Sequence, residues 1–443
     1  MSRASIESLA NTSSGAEYRL KGRRALRAAS LGFFVDMYDV YLPVIALAPA
    51  IAYFTAGDST AVEKIVVASA IFVASIIGRP LGAFLFGPLG DKIGRRRTTI
   101  IVAGGFTICT GLMVLLPGYD TLGIWSPIML ILLRLLDGLF LGGEYTAANP
   151  LAMEYAPRDK RGLYGSLLNI GYPLALTAIT VITIVTLKIF PSGGAQAPYS
   201  VWGWRVPFVI GFVISGALFL YYVRAVPESE IWAKMEKVTN PLRKLFSGRN
   251  LRSLGLAFMF STGAWLTLNA SIGAFAGHFK LQGVDGGTIN TSLLVSALLG
   301  AVCFPLVGIL GQRFGRRHVI MTLGVLNMVL ASLGSYLLVG SVGVTGTFVA
   351  FSVLLILPGL LVWAMITAYI MEMFPTEVRA SGYGIGYSLP SVIPAFYSYF
   401  MIWLSGVMPY EYTPIPLLVV GGGILFAAAY LSKDLRHVQL ENA

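Results

Sequence analysis

The sequence predicts an all-α membrane protein with twelve transmembrane helices in two pseudo-symmetric six-helix bundles. Three observations carry that expectation. First, the 443 residues are 56% hydrophobic and only 12% charged, and mean hydropathy is +0.74. A soluble protein carries about 25% charged residues. Second, apolar runs long enough to cross a bilayer recur along the chain. Third, a glycine-punctuated basic turn occurs twice. Gly87-x-x-x-Asp91-Lys92-x-Gly94-Arg95-Arg96-Arg97 is echoed by Gly308-x-x-x-Gln312-Arg313-x-Gly315-Arg316-Arg317, at one offset of 221 residues.

The spans fall near 28–54, 65–86, 98–116, 125–153, 163–189 and 203–225, then 253–279, 288–311, 318–340, 345–374, 380–405 and 413–432. They place a cytoplasmic tail at 1–27, a first bundle at 28–225 and a charged linker at 226–252. A second bundle follows at 253–432, then a tail at 433–443. Lys and Arg placement orients the chain. With both termini cytoplasmic, 26 of the 32 bases lie inside, and only Lys64, Lys188 and Lys280 fall in outer loops. The net charge of +11 is therefore positive-inside bias and not a nucleic-acid footprint. Residues 1–20 are polar and lack an apolar signal core, which places the expected protein in the cell membrane as a multi-pass monomer.

Several classes are excluded by what the chain lacks. No Gly-x-x-x-x-Gly-Lys-Ser/Thr loop exists to hold ATP, and hydrolase and kinase signatures are absent. Cys109 and Cys303 sit inside apolar runs as small core residues. His278 and His318 are expected at exposed positions, and no His/Cys/carboxylate cluster has metal spacing. The expected protein is not an enzyme, has no catalytic residue, cofactor or metal site, and draws its energy from an ion gradient.

Ionisable side chains inside membrane helices are costly and so are functional candidates. Asp36 and Asp39 lie one turn apart on one face of the first helix, with Gly32 and Pro43 nearby. Both cannot ionise cheaply in a low-dielectric site, so one is expected to hold a proton. The alternative is a permanent ion pair with an Arg. The fourth helix carries Arg134, Asp137 and Glu144 within an arc of about 80°, a stripe expected to face a central cavity, or alternatively to form a structural ion-pair network with the first helix. Glu144 has no basic neighbour in sequence and is a candidate to load a proton. Arg79 is a candidate for anion binding, or alternatively snorkels to the cytoplasmic edge. Tyr145, Asn149, Asn169 and Tyr172 are candidate substrate contacts from the first half. Trp265 with Asn269, Trp363 with Thr367, and Tyr383 with Tyr387 share helix faces in the second, and either touch substrate or pack.

A second echo, Glu154-x-x-Pro157-x-x-x-Arg161 and Glu372-x-x-Pro375-x-x-x-Arg379, recurs at an offset of 218. An acid ending one helix and an Arg opening the next can tie helix ends across the cytoplasmic face, as a gate or as a static anchor. Gly87, Asp91, Gly94, Arg95, Arg96 and Arg316 of the basic turns complete the candidate gate. With Gln312 where Asp91 stands in the first copy, the charged latch is expected on one side only.

Gly87–Arg97 resembles the signature loop of the major facilitator superfamily. Arg134-x-x-Asp137-Gly138 is similar to that superfamily's fourth-helix motif, with Asp137 where Gln is usual. Arg79-Pro80-Leu81-Gly82, Gly142-Gly143-Glu144, Arg161-Gly162-x-Tyr164-Gly165-Ser166 and Phe374-Pro375-Thr376-Glu377-Val378-Arg379 resemble its metabolite:proton symporter branch, and Pro227-Glu228-Ser229 its sugar-porter relatives. Asp36-Met37-Tyr38-Asp39 looks more like the first helix of aromatic-acid, sialate and phosphate symporters. The resemblance implies two bundles rocking about a midplane site in alternating access. The expected function is proton-coupled uptake of a small anionic metabolite such as an organic acid. The alternatives are a phosphate or sugar symporter, a proton antiporter exporting drugs or metabolites, and a non-transporting ligand sensor.

Overall fold

A computed structural model describes residues 13–226 and 241–436, with no strand among them. Twelve helical passes follow in order. The first, α1, runs Ser13–Tyr41 and continues through a π segment, Leu42–Leu47, and a 3-10 segment, Ala48–Phe54. It starts well before residue 28, where apolar composition alone begins. Pro43 and Pro49 lack the donors that an α ladder needs, so the outer end of α1 leaves α geometry. Next come α2 (Ala61–Ile93), α3 (Arg95–Val114) and α4 (Trp125–Glu154). Then α5 runs in two pieces, Arg161–Asn169 and Gly171–Ile189, followed by α6, Arg205–Ala225. A capping box starts α2: Glu63 N donates to Thr60 Oγ1 at 3.2 Å and Thr60 N to Glu63 Oε2 at 2.7 Å.

The second half repeats the plan. Pass α7 is Gly248–Leu268, continued by a π segment, Asn269–Gly273, and by Phe275–Leu281. Passes α8 (Gly286–Phe314), α9 (Arg316–Val339) and α10 (Thr345–Met371) follow. Pass α11 begins as Arg379–Ser388 and, after breaks, ends as Tyr397–Leu404; α12 is Pro414–Leu431. Ten of the helices are long and apolar enough to cross a membrane by themselves; α7 and α11 are split into shorter pieces.

The repeated turn has a backbone cause. Gly94 between α2 and α3 sits at φ 107°, and Gly315 between α8 and α9 at φ 102°. A side chain at that φ is strained, so glycine lets one helix stop and the next start at once.

Backbone contact between α2 and α4 then fixes the charged residues. A Cβ added to Gly78 or Gly82 would lie 2.3 Å from the Leu135 carbonyl oxygen or 1.8 Å from that of Leu139. One added to Gly138 or Gly142 would lie 2.0 Å from the carbonyl oxygen of Ser75 or Arg79. Two small-x-x-x-small rows thus face each other and draw the helices together.

The halves meet at the end that carries the two basic turns. There α5 and α8 touch at backbone level: a Cβ on Gly162 would be 2.4 Å from Gly308 O, and one on Gly308 2.6 Å from Gly162 O.

Candidate functional site

Four carboxyls and two guanidiniums are buried inside the first bundle, on α1, α2 and α4. Arg79 is fully buried and forks onto Asp36, Nη2 to Oδ1 at 2.5 Å and Nη1 to Oδ2 at 3.4 Å. Arg134 Nη1 donates to Asp39 Oδ2 at 2.8 Å and to Asp137 Oδ2 at 3.1 Å, and its Nη2 to the Asp39 carbonyl at 3.2 Å. Glu144, also buried, accepts from the Tyr222 hydroxyl of α6 at 2.7 Å.

This geometry corrects two expectations and decides between the alternatives for a third. Arg79 does not snorkel; Asp36 holds it in the interior. Asp36 and Asp39 do not face each other as an isolated pair, because each takes a different Arg. The stripe on α4 reaches α1 through Arg134 and Asp39 and α6 through Glu144 and Tyr222, so the ion-pair network between the first and fourth helices, the alternative reading, is present. Helical spacing sets the relative directions of side chains, whereas the rotation of a helix within its bundle follows from its neighbours, here the glycine contact with α2.

A second layer lies where the halves face each other. Tyr145 of α4 packs edge-on to Tyr387 of α11, ring centroids 4.7 Å apart. Trp265 and Trp363 meet at 4.6 Å, and Tyr172 of α5 reaches Trp363 at 5.5 Å. Tyr41 of α1 stacks on Tyr172, their hydroxyls 2.6 Å apart. Beside the rings a neutral clasp crosses between halves. Asn149 Nδ2 donates to the Tyr383 hydroxyl at 2.8 Å, and Thr367 Oγ1 to Asn169 Oδ1 at 2.8 Å. Asn169 Nδ2 donates to the Trp363 carbonyl at 2.8 Å. Of the candidates in this layer only Asn269 stands apart: it donates to Pro394 O at 3.0 Å and ties α7 to α11 within its own half. Tyr41 and Tyr222 were not singled out by sequence. Each is one Tyr in a run of aromatics, and no spacing marks it.

Toward the basic turns the layer becomes charged. Arg379 of α11 pairs with Glu154 of α4 across the halves at 3.8 Å. Glu372 pairs with Arg316 of its own half at 3.0 Å and lies in the electrostatic reach of Arg161. Gln312 proves to be a hub: its Oε1 accepts from Gly162 N at 3.1 Å and from Arg316 Nη2 at 2.9 Å, and its Nε2 donates to Arg158 O at 3.4 Å. A carboxylate could not donate that last bond, so the second turn ties the halves without an acid. Gly87 faces Ser381 of the other half, where an added Cβ would sit 3.9 Å from its Oγ. Arg96 bonds Val226 O at 2.8 Å and Val223 O at 2.6 Å at the end of α6, so it caps that helix. The side chains of Asp91 and Arg95 lie outside the described residues. His278 is a further correction: it is 3% exposed, covered by Tyr410 and bonded to Glu411 O at 3.2 Å.

Removing the cross-half pair should favour opening. Arg379→Ala is expected to shift the equilibrium by about 1–2 kcal/mol, or about 5- to 30-fold. The readout is alkylation of a cysteine replacing Ala368, whose Cβ lies against Gly165 of α5, in a background lacking Cys109 and Cys303. An unchanged labelling rate would mean that the pair is only an anchor.

Two helical bundles that meet through hydrogen bonds and an ion pair, one of them enclosing buried charge, have the architecture of a membrane transporter. Residues 25–239 match the family described as Sugar (and other) transporter. The chain is 30% identical to the inner membrane metabolite transport protein YhjE of Escherichia coli (strain K12), over 94% of this chain and 95% of that protein. It is 30% identical to the proline/betaine transporter of the same strain (87% and 78% covered) and 28% identical to its alpha-ketoglutarate permease (83% and 84%). The major facilitator superfamily proton:xylose symporter XylE shares the fold, with a TM-score of 0.69, at 16% identity over 92% of this chain and 94% of that one. The chain belongs to the transporter family of these metabolite and proline/betaine transporters and has the fold of the major facilitator superfamily. It is a multi-pass membrane transporter and, like its homologues, not an enzyme.

Proposed function

We propose that the protein is a proton-coupled symporter that takes up a small carboxylate-bearing metabolite, with both termini in the cytoplasm. One observation carries the substrate side: beside the Tyr145, Tyr387 and Trp363 rings the buried atoms left without partners can donate, whereas the unpartnered acceptors Asp39 Oδ1 and Asp137 Oδ1 belong to the acids held by Arg134. Arg79 Nε, Trp363 Nε1 and the Tyr387 hydroxyl have no hydrogen-bond partner, although buried polar groups are normally satisfied. Donors of this kind suit a carboxylate, and the surrounding rings suit a compact apolar or cationic body. Proline, betaine and α-ketoglutarate, the compounds named for two relatives, all bear a carboxylate.

The coupling side rests on the acids of the first bundle. With more carboxyls than guanidiniums buried there, the site reaches neutrality by binding protons. The test is uptake into proteoliposomes under an inward proton gradient, with radiolabelled glycine betaine, proline, 2-oxoglutarate and xylose as probes. Accumulation of a carboxylate-bearing probe that collapses with a protonophore is expected; accumulation of xylose alone would overturn the reading. Asp36→Asn and Asp39→Asn are each expected to lose gradient-driven accumulation at least tenfold while retaining exchange of the same probe. Wild-type accumulation by both variants would rule out coupling through either acid.

A further inference from the structure

The buried charges of the first bundle do not balance, and the imbalance is divided between two places. Asp36 and Arg79 neutralise each other. Arg134 serves two acids, Asp39 and Asp137, which leaves one negative charge in excess there. Glu144 has no cation within ion-pair distance among the described residues, and its hydrogen-bond partner is the neutral Tyr222. Seven residues separate Asp137 from Glu144, about 10 Å along α4, so the two excess charges lie at different depths.

The Glu144 position is fitted for either protonation state. The Tyr222 hydroxyl lies 2.7 Å from Glu144 Oε1 and 3.4 Å from the Ala28 carbonyl. When Glu144 is ionised, Tyr222 donates to it. After the carboxyl takes up a proton, it donates to the Tyr222 oxygen, and the hydroxyl turns its own hydrogen to the Ala28 carbonyl. Neither state leaves a donor stranded, which a buried polar pair otherwise suffers at about 1–3 kcal/mol. Gly32 makes the room: a Cβ there would lie 2.2 Å from Glu144 Oε1 and 2.9 Å from the Tyr222 hydroxyl. The other titratable or charged groups facing Glu144 are Asp36 of α1, Arg79 of α2 and Tyr383 of α11.

We propose that Glu144 and Tyr222 form a proton-carrying site of their own inside the first bundle, separate from the Asp39–Asp137 pair on Arg134. The proposal rests on the proton-coupled reading above and assigns that reading two protonable positions instead of one. Tyr222 acts as a positioning residue, and the proton itself is bound by Glu144.

Infrared spectra of the purified full-length protein in detergent test this without any substrate, by following the protonated-carboxyl stretch with pH and in heavy water. Two components are expected in the wild type. Glu144→Gln should remove one of them and Asp137→Asn the other. Tyr222→Phe, which introduces no buried charge, should keep the Glu144 component but move it toward the frequency of a free carboxyl. Both components surviving in Glu144→Gln would overturn the proposal. So would an unmoved Glu144 component in Tyr222→Phe, which decides the matter even if the first variant does not fold. Intact components in a protein that accumulates none of the four transport probes would count against the symport reading alone.

Discussion

Arg79→Ala is expected to fold poorly and to transport nothing. Asp36 is 1% exposed and would keep its charge with no cation beside it. Breaking a buried pair from one side costs about 3–5 kcal/mol, so the thermal midpoint in detergent should fall by several degrees. Arg79→Ala combined with Asp36→Asn removes both charges, and the double variant should recover most of that stability. Recovered stability is not expected to bring recovered function. The double variant lacks the guanidinium nitrogen offered to a carboxylate and the acid beside it, so accumulation should stay at least 100-fold below wild type. Arg79→Lys should fall between, because an ammonium is a point charge and cannot fork onto both Asp36 oxygens. Gradient-driven uptake by the stabilised double variant at wild-type rate would show that the pair is only structural.

How much of this was legible in sequence differs from element to element. The passes were legible because bilayer thickness imposes a minimum apolar length, and the turns because Gly94 and Gly315 need a backbone state that only glycine adopts easily. The buried acids were legible too, since a charge within an apolar run must have a reason. Partner choice was not. Asp36 and Asp39 look like a pair at i, i+3, yet Arg79 and Arg134 separate them from two other helices. Glu144 was marked by its lack of a base, but Tyr222 lies 78 residues away in a run of aromatics that reads as membrane packing. His278 was misplaced because its cover comes from Tyr410 at the start of α12, a contact that no local pattern announces. That Arg96 also caps the end of α6 was not legible, since the Val223 and Val226 carbonyls it bonds lie more than 120 residues away. Gln312 was read as a lost acid, while its amide bonds to both halves.

The largest effect on the fold itself is expected at the α2–α4 contact. Gly82→Val would put a branched side chain where even a Cβ comes within 1.8 Å of the Leu139 carbonyl oxygen. Backbone cannot move aside as a flexible side chain can, so the two helices must separate. Overpacking typically costs about 1–3 kcal/mol, and this case belongs at the top of that range or above it. The damage would reach the charges, since Arg79 lies one turn from Gly82 and Arg134 one turn from Gly138. Parting α2 from α4 pulls Arg79 from Asp36 on α1, adding an unpaired buried charge to the steric cost. Gly82→Val should therefore yield little monodisperse protein, with a clearly lowered thermal midpoint. Gly104→Ala is the matched control, because its Cβ would meet only the Phe219 ring, at 3.4 Å, and it should behave like wild type. Equal midpoints for the two variants would show that the α2–α4 spacing does not hold the charged site in place.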